Sequence, residues 1–187
     1  LGWIAIADDV RVGSRRVVEE LKSLGVEKVV MLTGDTAQAA EAIGRATGVD
    51  EVRAGLMPEE KVAAIRELSE RWGEVVMVGD GVNDGPALAA SSVGIAMGAA
   101  GSDVALETAD VALLGDEVRR LPYLMRLSRR ARRVIRQNVW AAILVKAVLA
   151  LGVPLGLVSL VTAVVVGDMG VSLAVIVNAL RLGRVEA

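Results

Sequence analysis

Asp80 and Asp84 stand four residues apart in Gly79-Asp80-Gly81-Val82-Asn83-Asp84-Gly85-Pro86, directly after the apolar run Val75-Val76-Met77-Val78. A β-branched run that ends abruptly in glycines and carboxylates describes a buried parallel strand. Such a strand delivers both acids to the carboxyl edge of a sheet, where open α/β folds bind ligands. Two carboxylates, with Asn83 as a neutral oxygen ligand or amide donor and glycines that let the backbone approach closely, suit a hard divalent cation such as Mg²⁺. A phosphate substrate is the usual companion of that ion. The competing reading makes Asp84 the cap of a helix opening at Pro86, and it leaves Asp80 unexplained.

A second loop, Met31-Leu32-Thr33-Gly34-Asp35, also ends an apolar run and precedes a helix expected to start near Thr36. The Thr33 hydroxyl and the amides of a helix N-terminus together suit a phosphoryl oxygen. Asp35 serves equally well as an N-cap or as a catalytic carboxylate. Lys61, in Met57-Pro58-Glu59-Glu60-Lys61, falls in the first turn of a helix whose start Pro58 marks. A lysine there is ordinarily a solvated surface charge. Its place in the chain between the two acidic loops makes it a candidate to neutralise a phosphoryl group.

The elements that must hold these residues alternate. Trp3 to Ala7, Lys28 to Thr33, Glu74 to Gly79 and Val93 to Met97 read as buried strands. Val12 to Leu24, Thr36 to Thr47 and Glu59 to Trp72 carry apolar residues at three- and four-residue steps, with Gly25 and Gly48 just past two of the ends. Val52 to Ala54 and Asp110 to Leu114 are expected as shorter strands. Strand, helix, strand order of this kind predicts an α/β fold, a doubly wound parallel sheet covered by helices.

The charges are poorly mixed. Arg119 to Arg136 is strongly basic, whereas Val139 to Leu180 carries only Lys146 and Asp168. That break marks a change of solvent. Gly152-Val153-Pro154-Leu155-Gly156 divides the apolar region into helices expected over Arg132 to Leu151 and Leu157 to Leu180, each close to the ~20 residues that a membrane span requires. Arginines before the first span, with Arg181 and Arg184 after the second, put both outer ends and the α/β portion in the cytoplasm. A water-soluble hairpin is the competing reading, but one apolar on all faces has little to bury against in a chain of 187 residues. The sequence contains no Cys and no His, which excludes disulfides, zinc-finger spacing and imidazole bases within it. No secretory signal is visible, since Leu1 to Ala7 lacks a basic leader and runs into Asp8-Asp9. A start on a strand without Met reads as a fragment of something longer.

Taken in order, Thr33-Gly34-Asp35, Lys61 and Gly79-Asp80-Gly81-Val82-Asn83-Asp84 resemble the haloacid-dehalogenase-type phosphotransfer core, and more specifically the phosphorylation domain of a P-type ATPase. The likeness continues through Ile95-Ala96-Met97-Gly98, the stretch from Gly101 to Asp110, and Arg136-Gln137-Asn138. The resemblance implies that Asp80 holds Mg²⁺ directly and that Asn83 and Asp84 fix the ion, the phosphate or both. It also implies that Thr33 and Gly34 bind phosphoryl oxygens with Asp35 supporting their loop, while Lys61 offsets developing charge. Gly85 stands where the family has alanine. No Asp-Lys-Thr-Gly-Thr occurs, so the family's phosphorylated aspartate is missing, and the chain alone is expected to be inactive, with ATP bound mainly by regions outside it.

The two charges of the apolar region bear on the subfamily. Each costs ~2.5 to 3.5 kcal/mol at mid-bilayer on insertion scales. Lys146 lies eight residues before Pro154 and Asp168 fourteen after it, close enough in depth for a salt bridge, or for a carboxylate that exchanges its lysine for a cation. Lys146, Asp168-Met169-Gly170 and Asn178-Ala179-Leu180-Arg181-Leu182 resemble the last two membrane helices of heavy-metal exporters of the zinc, cadmium and lead type. The family resemblance implies a transported Zn²⁺, Cd²⁺ or Pb²⁺ held by Asp168, with Lys146 as its counter-charge and a Cys-Pro-Cys elsewhere supplying soft ligands.

The expected organisation is residues 1–116 as the C-terminal part of a phosphorylation domain, 117–136 as a basic cytoplasmic helix or linker, and 137–182 as a transmembrane hairpin. The expected partners are the remainder of the same ATPase chain, the lipid bilayer of the cell membrane and a divalent heavy-metal ion, with no nucleic acid. Two alternatives stay open. A membrane-anchored phosphatase of the same core fold needs a DxD strand and leaves Asp168 unexplained, while a truncated regulatory protein needs no catalysis.

Overall fold

The computed structural model describes residues 13–80, 83–98, 107–113 and 118–184. The chain divides into two compact units, one ending at Pro122 and the other beginning at Tyr123.

In the first unit the described elements are α1 (Ser14–Ser23), β1 (Val30–Leu32), α2 (Ala37–Thr47), β2 (Glu51–Arg53), α3 (Pro58–Trp72), β3 (Val76–Gly79), α4 (Gly85–Ala90), β4 (Val93–Met97) and β5 (Val111–Leu113). The strand expected over Trp3 to Ala7 lies outside the described residues. All strand pairs among the described residues are parallel. β1 pairs with β2, Met31 opposite Val52, while β3, β4 and β5 form a separate ladder in that order, with Val78 opposite Ile95 and Ala96 opposite Ala112. One core unites the two ladders: Ile65 of α3, Met77, Ala87, Leu88 and Ala96 are buried, and Leu32 of β1, Val62 and Ala112 pack against them. At about 25 cal/mol per Å² of apolar surface, this core of small aliphatics dominates the stability of the unit.

Strand ends are shorter than the apolar runs suggest, because flanking backbone groups find other partners. Val75 donates its N–H to the Ser92 hydroxyl and accepts from the N–H groups of Ser92 and Val93, so β3 starts only at Val76. Val29 donates to the Asp50 carboxylate and accepts from the Asp50 N–H, which leaves β1 to begin at Val30. The helix ends follow the glycines, with Gly48 closing α2 in the left-handed region at φ 75°. Gly44 lets α2 lie flush on β2, since a Cβ there would collide with the Val52 side chain.

The second unit is a helical hairpin. α5 (Arg120–Gly152) is one unbroken helix of 33 residues whose first residues belong to the first unit, so the basic stretch and the first apolar span are continuous. Gly152 accepts from the N–H groups of Leu157 and Val158, and Gly156 takes a φ of 70° to close the turn. The next helix starts at Leu160 rather than Leu157, because the Ser159 hydroxyl accepts the Thr162 N–H at 3.1 Å and caps it. It runs as α6 (Leu160–Val164), a π-helical stretch Val165–Gly170, α7 (Val171–Ala179) and a 3₁₀ turn Leu180–Arg184. Both helices are long and apolar enough to cross a membrane, over Arg120–Gly152 and Leu160–Gly183. Their apolar side chains are out in the open: Trp140 is 65% exposed, Leu144 66%, Val161 73% and Leu173 65%. An apolar surface of that extent requires lipid or protein around it, which argues against the water-soluble hairpin.

Candidate functional site

The sheet-edge residues form one linked cluster. β1 ends at Leu32 in the core, and the next residue, Thr33, donates its hydroxyl to Asp35 Oδ2 at 2.9 Å while accepting the Asp35 N–H at 3.1 Å. This reciprocal pair closes the Thr33-Gly34-Asp35 loop on itself and decides one open question. Asp35 is not the cap of α2; that position belongs to Thr36. The loop is then tied to the entry of α3, because Gly55 donates to the Asp35 carbonyl at 2.8 Å and Leu56 to the Thr33 carbonyl at 3.0 Å. Pro58 opens α3, and the Glu60 carboxylate accepts the Met57 N–H at 2.8 Å, fixing its first turn.

From that turn Lys61 reaches across to the third motif. Its Nζ lies 2.6 Å from Asp84 Oδ1, and both side chains are only 16% exposed. Asp84 occupies the N-cap position of α4, yet its side chain makes no capping bond. A charge-assisted bond to an ammonium is about twice as strong as a neutral one, so Lys61 takes the carboxylate. Gly79 makes this possible: a Cβ at that position would stand 2.8 Å from Asp84 Oδ2 and 2.9 Å from Asp84 Cβ. The close approach of Asp84 to the end of β3 thus requires glycine, a constraint the apolar run alone does not disclose. Asp80 is exposed, and its Oδ1 accepts the Asn83 N–H at 3.4 Å.

The structure therefore joins Thr33 with Asp35, Lys61 with Asp84, and Asp80 with Asn83, with α3 linking the first two groups. Among the described residues no group of three or more acidic, His or Cys side chains forms a metal cage. The donor set is two carboxylates and an amide on one short loop. It fits Mg²⁺, which typically takes one or two carboxylates and fills its octahedron with water and phosphate oxygens.

The other charged cluster of this unit serves the fold. Arg53 forms a two-pronged bond to Glu67, at 2.7 and 3.0 Å, and a third contact to Glu51. Hydrogen bonds from Arg53 hold Glu67 below the usual carboxylate range, and those from Lys28 and Arg53 do the same for Glu51. Asp50 is held down by Lys22, then by the Val29 N–H.

In the hairpin, Lys146 and Asp168 line one open groove of about 540 Å³, with Leu149, Val153, Pro154 and Gly167 among its other walls. No ion pair joins them, and both are exposed to the groove. Asp168 sits inside the π-helical stretch, a geometry frequent at functional sites. Gly167 beside it is buried, with the Leu149 Cδ1 3.0 Å from where a Cβ would be, so the two helices touch at this level. The sequence motifs named Asp168 but not the π turn; Gly167 and Gly170 on either side were the available signal.

Parallel ladders sharing one core, with acid-bearing loops at the carboxyl ends of β1 and β3, are the architecture of a haloacid-dehalogenase-like domain. Residues 1–92 match the haloacid dehalogenase-like hydrolase family. The chain is 50% identical over its whole length to a probable cadmium-transporting ATPase of Alkalihalophilus pseudofirmus, and 46% identical over 98% of its length to a manganese-exporting P-type ATPase of Mycobacterium bovis. It covers 26% of each of those relatives. A crystal structure of a zinc-transporting PIB-type ATPase in an E2·Pi state superposes on 95% of the chain at a TM-score of 0.86 and 44% identity, and 29% of that structure is covered. The chain belongs to the P-type ATPases, and it spans about a quarter of the length of the curated relatives it matches.

Proposed function

We propose that this chain forms the end of the phosphorylation domain and the last two membrane helices of an ATP-driven exporter of heavy-metal cations of the Zn²⁺, Cd²⁺ and Pb²⁺ kind, in the cell membrane. The observation that carries this reading is Asp168. It is a carboxylate in a π turn, lining with Lys146 a groove that runs to the Pro154 turn, in a chain whose other unit holds a phosphoryl-transfer edge. A charged pair at mid-membrane costs several kcal/mol and is retained where it serves an ion path. The relatives named for cadmium and manganese transport support the same assignment.

At the sheet edge Asp80 and Asp84, with Asn83 beside them, would hold Mg²⁺, and the ion when bound would supply neutralising charge to the phosphoryl oxygens. Thr33 and the amide of Gly34 orient those oxygens, and the Thr33–Asp35 pair keeps the hydroxyl in place. Lys61 adds a fixed positive charge where negative charge develops in transfer. Its bond to Asp84 aims the ammonium at the loop before the phosphoryl group arrives. The phosphorylated aspartate and the nucleotide pocket belong to other parts of the pump, so the 187 residues alone do not turn over ATP. Arginines 126–136 before the first span, with Arg181 and Arg184 after the second, support a topology with both ends in the cytoplasm and the Pro154 turn on the far side. The uninterrupted α5 carries motion of the phosphorylation domain to Lys146. In the membrane Asp168 gives the cation a hard oxygen ligand, and softer ligands come from earlier helices.

The test is Asp168→Ala in the full-length pump, reconstituted in liposomes. Zn²⁺-stimulated ATP hydrolysis is lost, while phosphorylation by inorganic phosphate in the reverse direction persists. Undiminished Zn²⁺ stimulation in that variant removes Asp168 from the ion site.

A further inference from the structure

The hairpin's two helices are joined by side-chain hydrogen bonds at a level well away from the groove. Asn178 Nδ2 donates to Asn138 Oδ1 at 2.8 Å, Asn138 Nδ2 donates to the Val175 carbonyl in a longer contact of 3.5 Å, and the Arg181 guanidinium donates to Asn178 Oδ1 at 3.3 Å. The network fixes the direction of both amides. Arg181 has no acceptor, so the oxygen of Asn178 faces it and the amide nitrogen faces Asn138. The Val175 carbonyl has no donor, so Asn138 turns its nitrogen there and its oxygen to Asn178. Both asparagines are half-buried between the helices.

We propose that this asparagine clamp is a positioning device for the ion site: it sets the register and rotation of the two helices so that Lys146 and Asp168 open onto the same groove. This rests on the assignment of Asp168 to the transported ion. Between helices in lipid there is little hydrophobic force to set register, and packing and polar contacts set it instead. A paired buried asparagine is a well-attested register device in helix pairs. The spacing fits that role. Lys146 lies eight residues beyond Asn138, about 12 Å along α5, and Asp168 lies ten residues before Asn178, about 15 Å along its helix. At roughly 100° per residue, eight residues carry Lys146 about 80° round its helix from the clamp. Ten residues carry Asp168 about 80° round the other helix in the opposite sense, and the π turn adds to that swing. In an antiparallel pair these two rotations point to the same side, which is where the shared groove lies. Rotation of either helix at the clamp turns one of the two charges away.

The hydrogen-bond directions make the test asymmetric. Asn138→Asp keeps the acceptor that Asn178 uses at 2.8 Å and gives up only the long 3.5 Å contact to the Val175 carbonyl, whereas Asn178→Asp sets an acceptor against an acceptor at the short contact. Interhelical bonds in membranes contribute about 0.6 to 1.7 kcal/mol, so Asn178→Asp and Asn178→Leu in the reconstituted full-length pump raise the Zn²⁺ concentration for half-maximal ATPase stimulation by roughly 3- to 20-fold. Maximal rate and back-phosphorylation by phosphate stay near wild type, and Asn138→Asp stays within about twofold. Equal Zn²⁺ dependence in Asn178→Asp and wild type overturns the proposal, as does an Asn138→Asp variant as impaired as Asn178→Asp. A loss of maximal rate with unchanged half-stimulation overturns it too. Asp168→Ala measured alongside separates the two readings: if it keeps Zn²⁺ stimulation the ion-site assignment fails, and if it loses stimulation while Asn178→Asp does not differ from wild type, the clamp alone fails.

Discussion

The sheet edge and the hairpin groove each carry a lysine and a carboxylate, but they use them differently. Lys61 and Asp84 are locked together at 2.6 Å, with the carboxylate pressed against Gly79. Lys146 and Asp168 share a groove without an ion pair. At the edge the lysine and the carboxylate face each other within hydrogen-bond reach, so the pair itself fixes the geometry of the loop. In the hairpin, position is set by what the charges do not take part in: the Gly167–Leu149 contact and the asparagine clamp. One region is organised by its charges and the other organises its charges from outside.

The largest effect expected from breaking this contrast is at Asp80. Asp80→Asn in the full-length pump lowers phosphoenzyme formation, from ATP and from inorganic phosphate alike, by roughly 10²-fold or more, read with radiolabelled phosphate. Normal phosphoenzyme in either direction refutes its place at the Mg²⁺ site.

Next comes the pair of lysines, which sharpens the contrast directly. Lys61→Met leaves a mostly buried carboxylate without its partner and costs the first unit about 1–3 kcal/mol in denaturant unfolding. Lys146→Met alters Zn²⁺ dependence but costs less than about 1 kcal/mol, since no ion pair is lost. Equal destabilisation by the two substitutions contradicts a difference in pairing between the two lysines. Gly79→Ala should mimic part of Lys61→Met. Its methyl displaces Asp84 and costs about 1–3 kcal/mol by overpacking, and an added Lys61→Met then costs less than it does alone.

The smallest effect is on pH. Glu51, Asp50 and Glu67 are held below the usual carboxylate range by Lys28, Lys22 and Arg53. Their contribution is whole above the ordinary values near 4, where the unfolded chain is also ionised. It is lost as pH falls through the lowered folded-state values, because the unfolded chain then binds more protons. The midpoint of denaturant unfolding of the first unit therefore declines below about pH 4.5, and less so when Glu67 is replaced by Gln. A midpoint rising with acid shows that these pairs do not stabilise the fold.

Local chemistry was enough to determine much of this protein. β-branched runs ending in glycine and acid specified strands with acid-bearing carboxyl ends, and the 42 residues from Val139 to Leu180, with two charges among them, specified an apolar helical hairpin. Those features depend on neighbours within a few residues, which a linear chain states outright. The choice of Lys61 over the α4 amides as the partner of Asp84, the exclusion of Asp35 as a cap, the merging of the basic stretch with the first span and the π turn at Asp168 were decided in three dimensions. So was the clamp, which joins residues forty positions apart. Each is a contest between partners distant in sequence, and free energies of about 1 kcal/mol settle such contests only after packing has brought the competitors within reach.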